Sequence, residues 1–328
     1  MPPRPQHFLF SPKSRTLSIA KIAQMTDEES YECFKAIRFS ETNGEPFCPT
    51  CGSFGVNEYR CRKVFKCKGC FKQFSVTSGT LLHGRKLSFR KILLAIAFFT
   101  SPAKGLAATD LSAYVEFSYK AAWVLAHKLR EAMDRNDDPT PLKGTVEIDG
   151  AEFGGYVRPK NVKKDRKDRR RILWRNSDTK QIVVTARERG GRARSTVVKH
   201  EADGIAFIEA NVSHTASLHA DQAAGWNILA FSYDSFHRIN HKVAYWTPES
   251  NTNTVENHFS MLRRAERAIY HHISSRHLSA YAREMDWRQN KRKVSKQEKF
   301  DALARTVTSR GRSEMKGLWK RREEDLAA

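Results

Sequence analysis

Apolar residues recur at helical intervals through the first part of the chain, up to about residue 136. The earliest of these patterns follows Thr26, a candidate N-cap, and carries Tyr31, Phe34 and Ile37. Three more helical stretches are predicted, at 88–99, 106–113 and 118–133. Because short breaks separate them, they are typical of a helix-turn-helix-like segment.

The period of the pattern changes to two after a turn-rich linker at 136–141, with the sequence NDDPTP. Alternating and β-branched runs predict strands at 145–149, 181–185 and 217–220. Helical patterns are predicted between and after them, at 201–211, 223–229, 254–269 and 274–289. Strands that alternate with helices indicate an α/β domain. The polar and basic tail from Asn290 onward predicts partial disorder.

Four of the six cysteines form two CxxC motifs with 15 residues between them: Cys48, Cys51, Cys67 and Cys70. Each CxxC turn presents two sulfurs to a tetrahedral ion, so the spacing predicts one structural Zn²⁺ held by four thiolates. The surrounding segment, 46–83, is poor in core residues and needs such a metal to fold. Cys33 and Cys61 are interpreted as ordinary cysteines, and Cys61 is the one alternative ligand.

Three acidic residues stand at positions that an α/β domain can bring together. Apolar and acidic residues alternate in the strand at 145–149, so Glu147 and Asp149 share one face and Asp149 sits at the strand end. Asp221 ends the strand that begins at residue 217. Glu256 lies near the start of the helix predicted at 254–269, beside its apolar face.

Any one of these acids, taken alone, is more often a cap or a salt-bridge partner than a catalyst. Clustered carboxylates repel one another, and they are stable mainly when hard divalent cations neutralise them. Mg²⁺ takes oxygen ligands and leaves positions for phosphates and water, which is the chemistry of two-metal phosphoryl transfer. The acids therefore predict two Mg²⁺ or Mn²⁺ ions and a phosphodiester substrate. Arg263, seven residues after Glu256, lies two turns along the same side of the helix and precedes Arg264.

The chain carries 58 Lys and Arg against 36 Asp and Glu, a net charge of +22, which indicates a polyanionic partner. The predicted contacts to a DNA backbone are Lys163, Lys164, Arg166, Lys167, Arg169, Arg170, Arg171 and Arg264. The alternative interpretation of the run at 163–171 is a solvated face. The longest apolar run, 92–99, is too short to span a membrane, and no secretory signal is readable. We therefore expect a cytoplasmic protein without a membrane partner.

These features, in this order, resemble those of the DDE transposases of bacterial insertion sequences, in the branch that carries an N-terminal zinc ribbon. Besides the cysteine motifs, the resemblance rests on VEIDGAEFGG at 146–155, HAD at 219–221 and TNTVENHFSMLRR at 252–264. It implies an RNase H-like catalytic domain and Mg²⁺-dependent cleavage and joining of element ends. It also implies that Asp149, Asp221 and Glu256 form the catalytic triad.

Two positions depart from the pattern of that family. Some relatives of this branch use Asn in place of the third acid, so Asn253, one turn before Glu256, is an alternative third residue. The companion basic residue, often Lys in such enzymes, corresponds to Arg263 in this sequence. An arginine there would hold a phosphate through two hydrogen bonds rather than as a point charge.

The sequence thus predicts an N-terminal segment with a short helix (1–45), a zinc ribbon (46–83), a helical DNA-binding segment (84–135), an RNase H-like α/β catalytic domain (142–290) and a basic tail (291–328). The predicted activity is cleavage and strand transfer of double-stranded DNA, at element ends and target, by a homo-oligomer. Two alternatives stay open. One is a zinc-ribbon and helix-turn-helix transcriptional regulator with structural carboxylates, and the other is an inactive relic that still binds DNA.

Overall fold

The computed structural model describes residues 8–154, 180–240, 251–315 and 317–318. The chain divides into two compact units: unit 1 comprises residues 1–136 and 293–328, and unit 2 comprises residues 137–292. The basic run at 163–171 lies outside the described residues, and its contacts with DNA stay a prediction. The boundaries near residues 45 and 83, which fall inside unit 1, also stay predictions.

Helices and strands are numbered in chain order. The described helices are α1 (Ile19–Gln24), α2 (Asp27–Arg38), α3 (Phe89–Thr100), α4 (Ala108–Val115), α5 (Tyr119–Arg135), α6 (Ile205–Asn211), α7 (Asn253–Ala265), α8 (Leu278–Asn290) and α9 (Lys296–Thr308). The described strands are β1 (Val56–Tyr59), β2 (Val64–Cys67), β3 (Gln73–Phe74), β4 (Thr145–Phe153), β5 (Gln181–Glu188), β6 (Ala193–Val198), β7 (Ser217–Asp221) and β8 (Ser235–Ile239).

The helices of unit 1 begin at polar caps that the sequence indicates. The Thr26 hydroxyl accepts from the amide of Glu29 at 3.2 Å, and the Glu29 carboxylate accepts from the amide of Thr26 at 2.7 Å. This reciprocal capping box confirms Thr26 as the N-cap of α2. Ser88 and Ser118 cap α3 and α5 through their side chains, which accept from the third amide of each helix.

A short turn joins α4 to α5, as the helix-turn-helix layout predicts. Glu116 in this turn has φ 55, a left-handed conformation that lets the chain reverse over three residues. Eight of the 17 residues of α5 are buried by packing, including Leu125 and Leu129. Its first turn offers an exposed surface, with Tyr119 and Lys120.

The segment after residue 290, for which the composition predicts partial disorder, is helical over part of its length. It forms α9, which packs against α2, α3 and α5 in unit 1. Ser295 and Glu298 form a capping box at its start, and Phe300, Leu303 and Val307 are buried. The apolar positions at i, i+3 and i+7 give the helix a packing face despite its polar and basic composition.

The cysteine motifs lie around a small antiparallel sheet in the order β1-β2-β3. Its apolar layer consists of aromatic rings, because few other core residues are available. The Phe65 ring lies 5.2 Å from that of Phe74 and 5.9 Å from that of Phe39, measured between centroids. Phe39 follows α2, so this layer also attaches the sheet to the helices of unit 1.

Unit 2 is built on a five-stranded sheet in the order β6-β5-β4-β7-β8. Strands β4, β5 and β6 form an antiparallel meander, whereas β7 and β8 continue the sheet parallel to β4. The connection from β6 to the parallel strand β7 contains α6, as a crossover between sheet strands requires. The structure therefore confirms a mixed α/β architecture.

Alternate side chains of β4 enter two separate apolar cores. Val146 and Ile148 pack with residues of α6 on one face of the sheet. Phe153 packs with residues of α7 and α8 on the other face. Because side chains of a strand alternate between faces, Glu147 and Asp149 point toward α7, and the predicted alternation is confirmed.

One prediction about the strands is wrong, and two strands were not predicted. Asp149 does not end its strand, because β4 continues to Phe153 in an unbroken pairing with β5. Only the pairing of β4 with β7 stops at Ile148. Strands β6 and β8 were not predicted, since their sequences, ARSTVV and SFHRI, mix polar and charged residues without an apolar run.

Two of the three tryptophans that the sequence assigns to the core are buried in unit 2. Trp226 and Trp287 are buried, as expected from the sequence, whereas Trp246 lies outside the described residues.

Of the helices in the described ranges, none is both long enough and apolar enough to cross a membrane.

Candidate active site and cysteine cluster

The register between β4 and β7 brings Asp149 and Asp221 together. The last registered pair of these parallel strands is Ile148 opposite Ala220. The next position on each strand is Asp149 and Asp221. Neighbouring strands lie about 4.8 Å apart, and registered residues of parallel strands point to the same face. The two carboxylates therefore lie side by side, on the face that α7 covers.

Glu256 reaches the same place from α7. Three apolar residues of this helix are buried against the sheet, as predicted: Val255, Phe259 and Leu262. Glu256 lies beside that face, and its Oε1 accepts from the hydroxyl of Thr252 at 3.2 Å. Its negative charge is close enough to raise the pKa of Asp149. Asn253, the alternative third residue, is exposed in the first turn.

The cluster is electrostatically costly in the absence of a cation. Burial raises the pKa of Asp149 to about 7, and the charges of Asp221, Glu201 and Glu256 act in the same direction. The amide of Gly150, which donates to Oδ1 of Asp149 at 2.7 Å, opposes this effect only in part. A divalent cation would relieve the repulsion, because oxygen ligands of this kind are those that Mg²⁺ and Mn²⁺ bind.

A fourth carboxylate of the cluster, Glu201, was not predicted from the sequence. It follows β6 and opens a 3₁₀ turn, and it packs so closely on Gly150 that a Cβ at residue 150 would collide with it. Burial raises the pKa of Glu201 to about 7, and the charge of Asp221 adds to this. The available signal was an acidic residue between a strand and a helical stretch. This signal could be recognised only if β6 had been predicted.

The two predicted arginines of α7 are both exposed. The guanidinium of Arg263 lies 5.8 Å from the ring centre of Phe153. Phe153 follows Asp149 by four residues on the same face of β4, so Arg263 lies along the strand beyond the carboxylates. Arg264 is the next residue and stands about 100° further around the helix.

The four cysteines of the two CxxC motifs converge, with all their sulfur atoms within 4.8 Å of one another. The Sγ atoms of Cys48 and Cys70 are 3.6 Å apart, and those of Cys51 and Cys67 are 3.5 Å apart. Tetrahedral bonds of about 2.3 Å to zinc place sulfurs about 3.8 Å apart, so the arrangement fits one Zn²⁺. In the described part of the chain, this is the only group of three or more such side chains close enough together to hold an ion as it stands.

Backbone amides prepare one of these cysteines for metal binding. The amides of Cys70 and Gly69 donate to Sγ of Cys67 at 3.5 and 3.3 Å. These hydrogen bonds lower the pKa of Cys67 to about 6, which favours the thiolate that binds zinc. Cys33 and Cys61 do not belong to the cluster; the first is half-buried and the second is exposed.

Comparison with known protein families finds one similarity, which lies within the second half of the chain. The profile of the ISXO2-like transposase domain matches residues 141–290. Over these residues the chain is similar to transposases of this family. The transposase domain nearly coincides with unit 2, and it includes β4, β7 and α7 with the acids that they carry. Similarity to this family suggests DNA binding and the use of divalent metal ions.

The chain is also similar to a protein of Halobacterium salinarum that is described as an uncharacterized protein in transposable element ISH50. The two are 26% identical over 233 residues, which cover 66% of this chain and 76% of the relative. Because 233 residues exceed the span 141–290, the similarity extends beyond the transposase domain. No solved structure matches the chain.

Proposed function

We propose that this chain catalyses metal-dependent cleavage and strand transfer of DNA at insertion-sequence ends. The observation that carries the proposal is the convergence of Asp149, Asp221 and Glu256, from β4, β7 and α7, within a transposase-family domain. Each acid alone has a structural explanation. Burial and the charges of Asp221, Glu201 and Glu256 together raise the pKa of Asp149, and a bound cation would explain why a folded protein keeps such a group of acids.

The proposed catalytic domain is RNase H-like, as the resemblance implies. A three-stranded antiparallel meander continued by two parallel strands supports this, as do helices on both faces of the sheet. The acids lie where the central strand β4 meets the parallel strand β7. Asp149, Asp221 and Glu256 each keep partial exposure to solvent, so a phosphodiester can reach them.

Asp149, Asp221 and Glu256 would hold two Mg²⁺ or Mn²⁺ ions. Ions bound there supply activation of the attacking oxygen and stabilisation of the leaving oxygen of a phosphodiester. The guanidinium of Arg263 binds the phosphate through two parallel hydrogen bonds and orients it along β4. Hydrolysis then exposes a 3′-hydroxyl, and this hydroxyl attacks a phosphodiester of the target DNA.

The remaining parts of the chain are assigned to DNA binding and to assembly. Cys48, Cys51, Cys67 and Cys70 hold one structural Zn²⁺ in this proposal. The first turn of α5 contributes the exposed residues Tyr119 and Lys120 to a double-stranded DNA surface. The basic run at 163–171 and Arg264 bind the backbone. We expect a homo-oligomer on DNA, in the cytoplasm.

A cleavage assay on a labelled duplex of the element end tests the proposal. Mg²⁺ or Mn²⁺ should support cleavage, whereas Ca²⁺ should support binding with little chemistry because its coordination shell is larger and looser. Asp149→Asn, Asp221→Asn and Glu256→Gln should each reduce cleavage by several orders of magnitude with DNA affinity unchanged or increased. Glu209→Gln is the matched control, since Glu209 is an exposed acid of the same unit that accepts from Ser232.

Asn253→Ala separates the two assignments of the third residue. If Glu256 is the third ligand, Asn253→Ala retains cleavage and Glu256→Gln loses it; the opposite result assigns the role to Asn253. Cleavage that survives Asp149→Asn or Asp221→Asn would contradict the mechanism. DNA binding without any metal-dependent cleavage would leave a regulator or an inactive relic as the function.

A further inference from the structure

A fully buried carboxylate, Glu147, lies two residues before Asp149 on the same face of β4. A buried charge is costly unless it is paired and hydrogen-bonded, so its partners indicate why it is there. All of those partners lie in two places. One is the start of α7, which carries Glu256, and the other is Arg189, just after β5.

Glu147 acts as the cap of α7 from a different element. Its Oε2 accepts from the amides of Thr254 and Val255 at 2.7 and 3.1 Å, and from the Thr254 hydroxyl at 2.7 Å. The first amides of a helix have no partner within the helix and require an acceptor from elsewhere. Thr252, at the N-cap position, does not cap α7 with its side chain, because its hydroxyl donates to Glu256.

Two arginines complete the attachment of this segment to the sheet. Arg189 donates from Nε to Oε1 of Glu147 at 2.7 Å and from a guanidinium nitrogen to the carbonyl of Asn251 at 3.1 Å. Arg187, at the end of β5, donates to the carbonyl of Thr254 at 2.6 Å. These contacts attach residues 251–255 to β4 through Glu147 and to the end of β5 through Arg187 and Arg189. Glu256 is the next residue.

The geometry also separates the role of Glu147 from that of the acidic cluster. Its Oε2 accepts three hydrogen bonds from the start of α7 and its Oε1 accepts one from Arg189, so both oxygens are already engaged. Arg189 neutralises its charge. Glu147 lies about 7 Å from Asp149 along the strand, and Thr254 lies about 3 Å from Glu256 along the helix axis. The contact between Glu147 and Thr254 thus joins β4 to α7 close to both Asp149 and Glu256.

We propose that Glu147 is a positioning residue, which binds the first turn of α7 to β4 and so sets the separation between Glu256 and Asp149. It thereby tunes the metal affinity of the acidic site. The inference rests on the proposed function, in that Asp149 and Glu256 are taken as metal ligands. Partners that orient metal ligands typically change metal affinity about 10- to 100-fold when they are removed.

The test compares Glu147→Gln with Glu284→Gln in the full-length protein. Glu284 is an equally buried carboxylate of unit 2, and it accepts from Arg288 at 2.7 Å in α8, away from the start of α7. Glutamine places an N–H donor against either Arg189 or the helix amides. We expect Glu147→Gln to weaken Mn²⁺ binding about tenfold or more, measured by calorimetry with Mn²⁺ alone, and Glu284→Gln to leave it unchanged.

Two further measurements keep the result interpretable. Hydrogen exchange at the amides of Thr254 and Val255 should accelerate in Glu147→Gln but not in Glu284→Gln. If Glu147→Gln does not fold, Thr254→Val removes one donor while both charges remain, and it should weaken Mn²⁺ binding in the same direction but by less. In cleavage assays, Glu147→Gln should require more Mg²⁺ for half-maximal rate while DNA affinity stays constant.

Glu256→Gln distinguishes failure of the inference from failure of the proposed function. If Glu256→Gln weakens Mn²⁺ binding and Glu147→Gln does not, Glu147 is a structural ion pair only and the inference is overturned. If neither substitution changes Mn²⁺ binding, the assignment of Glu256 as a ligand fails and the inference fails with it. Weaker Mn²⁺ binding in both variants, with normal binding in Glu284→Gln, supports both.

Discussion

The carboxyl of Asp149 is held in an environment that disfavours its charge. Burial raises its pKa to about 7, and Asp221 is the strongest of the neighbouring charges that add to this. An unfolded aspartate has a pKa near 3.9, so the folded, metal-free protein binds a proton that the unfolded chain releases between about pH 4 and 7. The contribution of Asp149 to the free energy of unfolding is therefore highest below pH 4, and it is lost as the pH rises toward 7.

A stability measurement at two pH values checks this dependence. In the absence of divalent metal, Asp149→Asn should raise the free energy of unfolding of unit 2 at pH 8, by up to about 4 kcal/mol, because it removes a disfavoured charge. The gain should be much smaller at pH 4.5, where the folded carboxyl is protonated. Denaturant titration of both proteins at both pH values measures the difference.

Metal supplies the control for this prediction. Saturating Mn²⁺ should stabilise the original protein and not Asp149→Asn, since only the former keeps the complete set of ligands. An equal effect of Asp149→Asn on stability at both pH values would mean that folding does not raise the pKa of this carboxyl.

The sequence reveals some of these residues and hides others for a physical reason. Asp149 follows from strand alternation and Asp221 from its place at the end of a strand, which are local features. Glu147 and Glu201 depend on what meets them in the folded chain: the first turn of α7 in one case and Gly150 in the other. Local pattern put Glu147 on the correct face, but it could not distinguish a ligand from a cap.

At the level of elements, α9 shows how composition can conceal a packing face. Its sequence KQEKFDALARTVT is polar overall, yet Phe300, Leu303 and Val307 are buried against other helices of unit 1. The capping box of Ser295 and Glu298 was a readable start signal. Strands β6 and β8 were missed for a related reason, because the side chains of strands at the edges of a sheet need not be apolar.

Truncation of a buried side chain of α9 should therefore destabilise unit 1. Leu303→Ala leaves a cavity at a fully buried position and should cost about 2–5 kcal/mol. Hydrogen exchange measured by mass spectrometry should then accelerate in peptides from α2, α3 and α5, which α9 contacts. Arg305→Ala, at an exposed position of the same helix, should leave that exchange unchanged. If both variants behave alike, α9 does not stabilise the unit.

The sheet β1-β2-β3 should depend on its metal. It has a thin aromatic layer for a core, so the four thiolates are expected to supply much of its stability through Zn²⁺. Freshly purified protein should contain one zinc per chain, and Cys67→Ser should lose it together with the protection of β1 and β2 from hydrogen exchange. Cys61→Ser is the matched control, because Cys61 is exposed and outside the cluster. Less than half an equivalent of zinc would contradict the assignment.

The whole molecule carries a net charge of +22, and this charge has two possible effects on DNA. It can attract any polyanion from a distance, or it can act through a local set of phosphate contacts. The basic run at 163–171 follows, along the sequence, the strand that carries Asp149. The two effects predict different changes in DNA affinity when the salt concentration is raised and when positive charges are removed from different parts of the chain.

Two triple variants with the same change in net charge distinguish the local effect from the general one. Replacement of Arg169, Arg170 and Arg171 by Gln should weaken DNA binding and lower the slope of log K against log salt by up to about 2.7, because each lost phosphate contact contributes about 0.9. Replacement of Lys21, Lys293 and Arg305, which are exposed in unit 1, should change that slope much less. Cleavage at saturating DNA should persist in both, since phosphate contacts contribute affinity rather than chemistry. Equal losses of affinity in the two variants would mean that overall charge, and not the run at 163–171, attracts the DNA.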